Sequence, residues 1–119
     1  MAFAAIAPFS AFAAEKAAFT TEAFASAQKA GKSILIDVYA PWCSTCKAQR
    51  AHLDELTAKP EFKDLVVLEV DFDKQKDEQK ALGVQSRSTL IAFKGDKETG
   101  RSVSDTKKDS IEALLEGAL

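Results

Sequence analysis

The chain has 119 residues, 46% of them hydrophobic, which suits one compact domain and leaves no room for a second. Lys and Arg total 16 against 18 for Asp and Glu, a formal charge of -2 with the signs interspersed, so no nucleic-acid face is expected. Its 2 cysteines are too few for a disulfide-stapled scaffold and lie too close together to close a stabilising loop, so the pair is a chemical device before it is a staple.

Residues 1–14 are almost pure Ala, Phe and Ile, broken by Pro8 and Ser10 and ending in Ala11-Phe12-Ala13. The run is shorter than the roughly 20 apolar residues of a membrane span. Small residues ahead of Glu15-Lys16 suit signal-peptidase cleavage after Ala13, so the run reads as part of a signal peptide and the protein as periplasmic or otherwise exported. No Lys or Arg precedes the run, as a complete leader requires. The other reading is an apolar or disordered N-terminal segment on a cytoplasmic protein.

A short edge strand is expected at Ala17 to Phe19. Thr20 and Thr21 offer a hydroxyl cap to an Ala-rich helix that reaches Lys29-Ala30 and stops at Gly31. Ser33 to Ala40 is a β-branched and aromatic run between Gly31 and Pro41, which predicts a strand buried on both faces at the centre of the sheet. From Cys43 to about Ala58 the residues favour a helix with Leu53 and Leu56 inward, ended by Pro60. Leu65 to Asp71 predicts a second buried strand, and Asp73 to Leu82 a polar helix closed by Gly83. Thr89 to Lys94 and Arg101 to Val103 flank a turn-rich stretch holding Gly95-Asp96 and Gly100, which predicts a hairpin. A last helix runs from about Lys107 to Leu119 on the stripe Ile111, Leu114 and Leu115. Strands alternating with helices, followed by a hairpin, predict an α/β domain with a mixed central sheet and helices on both faces.

The chemistry gathers at Trp42-Cys43-Ser44-Thr45-Cys46-Lys47. Cys43 opens a helix and Cys46 follows about one turn later, so the sulfurs can meet. A thiol at a helix N-terminus faces free N–H groups and the positive end of the helix dipole, which lowers its pKa from ~8.5. Cys43 is therefore the expected nucleophile and Cys46 the residue that resolves its mixed disulfide. The same spacing also fits half of a metal site. The chain has no third cysteine and one histidine, His52, on the same helix, so intramolecular zinc is not expected. A metal or Fe–S cluster held by the cysteines of two chains remains the alternative. Asp37 interrupts an apolar strand where a buried carboxylate is costly, which points to proton transfer with Cys46 and a raised pKa.

The segment Ile34-Leu35-Ile36-Asp37-Val38-Tyr39-Ala40-Pro41-Trp42-Cys43-Ser44-Thr45-Cys46-Lys47 resembles the thioredoxin family, and bacterial envelope thiol–disulfide reductases in particular. Leu53-Asp54-Glu55-Leu56, Val70-Asp71, Gly83-Val84 and Thr89 to Gly95 follow in family order, so a thioredoxin-like domain is expected over residues 15–119, with 1–14 outside it. The resemblance implies a three-layer α/β sandwich and a monomer needing no cofactor. It also implies protein disulfides as substrates and a membrane thiol transporter as electron donor. It makes Trp42 a shield for the cysteines and part of the docking surface, Asp37 the buried proton-transfer carboxylate, and Arg87-Ser88-Thr89 the loop that meets substrate.

The resemblance has several departures. Ser88 stands where the family has a cis-proline. A non-proline cis bond costs ~2.5–4 kcal/mol, so Arg87-Ser88 is expected to be trans with a shifted loop, or strained cis, and a hydroxyl is brought toward the thiolate. Arg87 replaces an apolar neighbour and adds positive charge to the docking surface, which suggests a preference for acidic segments. Val67 is taken to stand where thioredoxins often carry a lysine, which should leave Asp37 harder to ionise. Ala51 replaces the proline that kinks the active-site helix, and Ser44-Thr45 replaces the usual dipeptide between the cysteines.

Overall fold

The computed structural model describes residues 14–119, so the proposed leader lies outside it apart from Ala14. The elements in chain order are β1 (Glu15–Ala18), α1 (Thr21–Lys29), β2 (Ser33–Tyr39), α2 (Ser44–Thr57), a 3-10 turn (Pro60–Phe62), β3 (Val66–Asp71), α3 (Lys76–Leu82), β4 (Thr89–Lys94), β5 (Lys97–Val103) and α4 (Lys108–Glu116). The strands form one sheet in the order β1-β3-β2-β4-β5, with β2 at its centre as its apolar run predicts. β1 and β2 both pair in parallel with β3, while β4 runs antiparallel to β2 and β5. This is the mixed α/β sandwich that the element order predicts.

Alternation along β2 and β3 sorts their side chains between two cores. Ile34, Ile36 and Val38 join Val66, Leu68 and Val70 in one cluster, against Phe19, Ala27 and Phe24. Leu35 and Val67 join Leu53, Leu56, Phe62, Ile111 and Leu115 in the other, beneath α2 and α4. Asp37 follows Leu35 by two residues and so faces the α2 side, and in register with it on β3 stands Glu69. An acidic pair is thus turned toward the helix that carries the cysteines.

The boundaries differ from expectation for local reasons. The edge strand is Glu15–Ala18, because Phe19 leaves the sheet edge to enter the core at 4% exposure. The third helix begins at Lys76, not Asp73, because Asp71 Oδ1 accepts the N–H groups of Asp73 (2.9 Å) and Lys74 (3.1 Å) and holds them in a turn. Gly100 lies inside β5, with only Gly95-Asp96 at the hairpin tip, so the second strand is longer than Arg101 to Val103. A Cβ at Gly100 would lie 2.8 Å from Leu114 Cδ1, so the glycine marks close approach of α4 to the sheet. The last helix ends at Glu116, and the chain beyond it is tied to the start of β2 by Ser33 Oγ donating to the Ala118 carbonyl at 2.7 Å.

Thr20 caps α1, its Oγ1 accepting from Ala23 N–H at 2.9 Å. Thr20→Ala should lower stability by about 1 kcal/mol, read as a lower urea midpoint at unchanged slope.

Candidate active site

Cys43 has extended backbone and forms the N-cap of α2, and its Sγ accepts the Cys46 N–H at 3.1 Å. Cys43 and Cys46 form a disulfide with Cα atoms 5.3 Å apart. Both are 2% exposed and cluster with Ala40, Tyr39 and Phe72. The turn that begins the helix therefore brings the sulfurs together and aims backbone N–H at the first of them.

Opposite the disulfide lies the loop ahead of β4. The described residues contain no cis peptide bond, so Arg87-Ser88 is trans, and Ser88 has a φ of 64°. A non-glycine residue in this region costs roughly 1–2 kcal/mol and needs its surroundings to hold it there. Three hydrogen bonds do so: Ser88 N–H donates to the Val38 carbonyl (2.8 Å), and the Ser88 carbonyl accepts from Ser104 N–H (2.9 Å) and Gln49 Nε2 (3.1 Å). Ser88 is 1% exposed, and its Oγ lies 3.2 Å from Cys43 Sγ and 3.1 Å from Cys46 Sγ. The shifted loop expected from the missing proline is thus a left-handed seryl turn that points its hydroxyl at both sulfurs.

The neighbours of Ser88 divide the work. Thr89 is buried, and its hydroxyl donates to the Ser86 carbonyl at 2.7 Å, which closes the loop on itself. Arg87 is exposed and stacks its guanidinium 4.7 Å from the centre of the Trp42 ring. Trp42 is 58% exposed and donates from Nε1 to Asp73 Oδ2 at 2.8 Å. The stacked pair joins the two segments that carry Cys43 and Ser88, and gives the rim an apolar surface with a cation on it.

Behind the cysteines, Asp37 is 2% exposed and its Oδ1 has no hydrogen-bond partner among the described residues. Burial pushes its pKa from 3.8 up to about 6, against the opposing pull of the Arg50 cation and with added repulsion from Glu69. Arg50 Nε donates to Asp37 Oδ2 at 3.4 Å, and its far end pairs with Glu69. Lys16 adds a second cation 3.8 Å from Glu69. A cavity of about 20 Å³ beside these groups, lined by Asp37, Arg50, Thr57, Val67 and Glu69, matches the volume that one water requires. The expectation attached to Val67, an Asp37 that is hard to ionise, agrees with the raised pKa, and Val67 lines the cavity beside the carboxylate. In register Val67 pairs with Leu35 and Glu69 with Asp37, and the cation nearest Asp37 is Arg50 of α2. Asp37 is hard to ionise because burial outweighs that cation.

The sequence reading missed Gln49, Arg50, Glu69 and Asp73. The signal for the first two was present: they follow Cys46 by three and four residues, so they share its helix face. Ala51 interrupts nothing, and α2 runs unbroken from Ser44 to Thr57. Among the described residues no histidine or carboxylate gathers with Cys43 and Cys46 at ligand distance. The one such cluster, Glu61, Glu112 and Glu116, contains neither cysteine, and Glu112 in it is already paired with Lys59.

Comparison with known proteins gives the same assignment. The family model for thioredoxin matches residues 15–117. The thioredoxin of Chlamydia muridarum is 38% identical over 82 residues, covering 69% of this chain and 78% of that protein. The crystal structure of Trxlp from Edwardsiella tarda superposes with a TM-score of 0.81 at 37% identity, covering 87% of this chain and 98% of the other. Thioredoxin NaTrxh from Nicotiana alata superposes at 0.74 with 28% identity, over 87% and 92% of the two chains. With a family model that spans the whole domain and a cysteine pair joined at the head of α2, the chain belongs to the thioredoxin family and is a thiol–disulfide oxidoreductase working through Cys43 and Cys46.

Proposed function

We propose that this oxidoreductase works as a reductase of protein disulfides outside the cytoplasm, drawing electrons from a membrane thiol transporter and acting as a monomer. The observation that carries the direction is the set of donors on Cys43: a backbone N–H and a neutral hydroxyl, with no Lys, Arg or His among the described residues hydrogen-bonded to its sulfur. Neutral donors stabilise a thiolate less than an adjacent cation, so the reduced form lacks the extreme stability of a strong oxidant. Titration against glutathione tests this on a scale running from ~-270 mV for a reductase to ~-120 mV for an oxidant. A value near the upper end would reject the proposal.

In the cycle, Cys43 thiolate attacks the substrate disulfide, forming a mixed disulfide and expelling one substrate thiolate. Cys46 then attacks Cys43 Sγ, closes the internal disulfide and expels the second. Two electrons pass from the dithiol to the substrate. Asp37 serves in this reading as the base that takes the Cys46 proton; its burial, its raised pKa and its place one residue before Val38, whose carbonyl faces Cys46 Sγ at 4.0 Å, support the role. Trp42 and Arg87 form the docking rim, and Ser88 and Thr89 hold the loop behind it.

Export is supported by the apolar run of residues 1–14 and by a family match that starts at residue 15, just past the proposed cleavage after Ala13. Expression from the full gene, with mass measurement of the product, checks it. An uncleaved protein retained in the cytoplasm would overturn it.

Arg87 gives the rim its charge, and acidic residues beside the target disulfide should therefore speed reaction. Raising salt from low to physiological strength should slow reduction of an acidic peptide disulfide about 2- to 5-fold, with Arg87→Ala removing most of that dependence. Rates that ignore both salt and substrate charge would count against the docking role.

A further inference from the structure

We propose that the Ser88 hydroxyl is a single hydrogen-bond donor shared by the two active-site sulfurs, stabilising whichever is the thiolate and so setting the dithiol–disulfide balance. The inference rests on the thiol–disulfide cycle and is independent of its direction.

Ser88 Oγ lies within 3.2 Å of Cys43 Sγ and 3.1 Å of Cys46 Sγ, and it has no other hydrogen-bond partner among the described residues. At 1% exposure it is also shielded from water. A hydroxyl has one proton to donate, and disulfide sulfurs are weak acceptors. The oxidised protein therefore holds a buried O–H with no strong acceptor. Reduction supplies one. Two molecules of glutathione deliver two electrons, break the Sγ–Sγ bond and leave as glutathione disulfide. Cys46 keeps a proton, Cys43 remains as thiolate and the other proton passes to water. Cys46 S–H then points to the Val38 carbonyl, and the Ser88 proton turns to Cys43 Sγ beside the Cys46 N–H. A bond to an ionised acceptor is about twice as strong as a neutral one.

The same donor serves the second half of the cycle. Once Cys43 is bound to substrate and Cys46 has lost its proton, the hydroxyl turns by rotation alone to Cys46 Sγ, because the two distances are nearly equal. Ser88 gives up no proton at either stage. Its backbone is held by Val38, Ser104 and Gln49 in the left-handed turn, so Oγ stays between the sulfurs while they exchange roles. Proline at this position has no hydroxyl to offer. The substitution is thus a change of chemistry at the sulfurs as well as of loop shape.

Ser88→Gly and Ser88→Ala both remove the donor. Glycine suits a φ of 64° and keeps the loop available to fold, while alanine keeps the Cβ. The other charged and titratable groups around the pair are Asp37 and Tyr39 on β2, Lys47 and Arg50 on α2, Arg87 on the facing loop and Asp73 beyond Trp42. All are common to parent and variants. Thiolate absorbance followed against pH should show the Cys43 transition about one unit higher in both variants. Equilibration with glutathione should move about tenfold toward the disulfide, which is ~30 mV more negative for this two-electron couple. Shifts below about threefold in either variant, or in one variant only, would overturn the proposal, the second outcome assigning the effect to the backbone. Because each reading is a difference from the parent, it holds wherever the parent's own potential falls, and a failure here leaves the reductase assignment to be judged on that potential.

Discussion

A Cys46→Ala variant will accumulate covalently joined to its substrate, and Cys43→Ser will lose disulfide reduction by at least ~10³-fold. The two cysteines are equally buried, so exposure does not separate them; the helix does. Cys43 is the cap residue and its sulfur receives the Cys46 N–H, whereas Cys46 sits inside the first turn with its sulfur toward the Val38 carbonyl, an acceptor that favours the thiol. Thiolate character therefore belongs to Cys43, and attack on substrate with it. Without Cys43 no mixed disulfide forms. Without Cys46 the mixed disulfide forms and waits for an external thiol. Insulin reduction by dithiothreitol gives the rates, and non-reducing electrophoresis gives the adducts. Adducts trapped by Cys43→Ser and not by Cys46→Ala would reverse the assignment.

The reacting centre was legible because each of its signals is local. A continuous apolar strand, a proline and two cysteines one helical turn apart specify strand, bend and capped helix within fifteen residues. The central position of β2 could be read from its lack of polar alternation, and Asp37 stood out for the same reason. What could not be read depends on register between distant segments. That Glu69 is the register partner of Asp37 follows from the pairing of β2 with β3, where a displacement of two residues keeps the face and changes the partner. Arg50 takes up the cation's role from another element altogether, and Gln49 reaches the carbonyls of Ser88 and Asp105 across the whole domain. Ser88 was visible as a departure from proline, but its left-handed backbone and its reach to both sulfurs are products of the loop's tertiary hydrogen bonds.

Asp37→Asn should make the protein more stable and slower at the same time. The folded protein holds the Asp37 proton up to about pH 6, whereas a carboxylate with the ordinary value of 3.8 releases it earlier. Between those values the folded state binds more protons than the unfolded one, so the stability contributed by this group falls as pH rises, by about 3 kcal/mol in all, and stays low above pH 6. Asparagine does not titrate, so its advantage over the parent should be small near pH 4 and approach that figure at pH 7, read from urea midpoints at the two pH values. The cost falls on the second step of the cycle. Release of the mixed disulfide at pH 7 should slow by ~10²-fold, the low end of what a positioned general base contributes. Arg50→Met separates the two effects. It removes the cation that opposes burial, so the Asp37 transition should rise by about one further unit and the pH profile of release should move up with it, while the base itself is retained. A release rate at pH 7 that Asp37→Asn leaves untouched would remove the carboxylate from the mechanism. The buried, half-satisfied acid at the centre of the sheet would then be a loss of stability with no catalytic return.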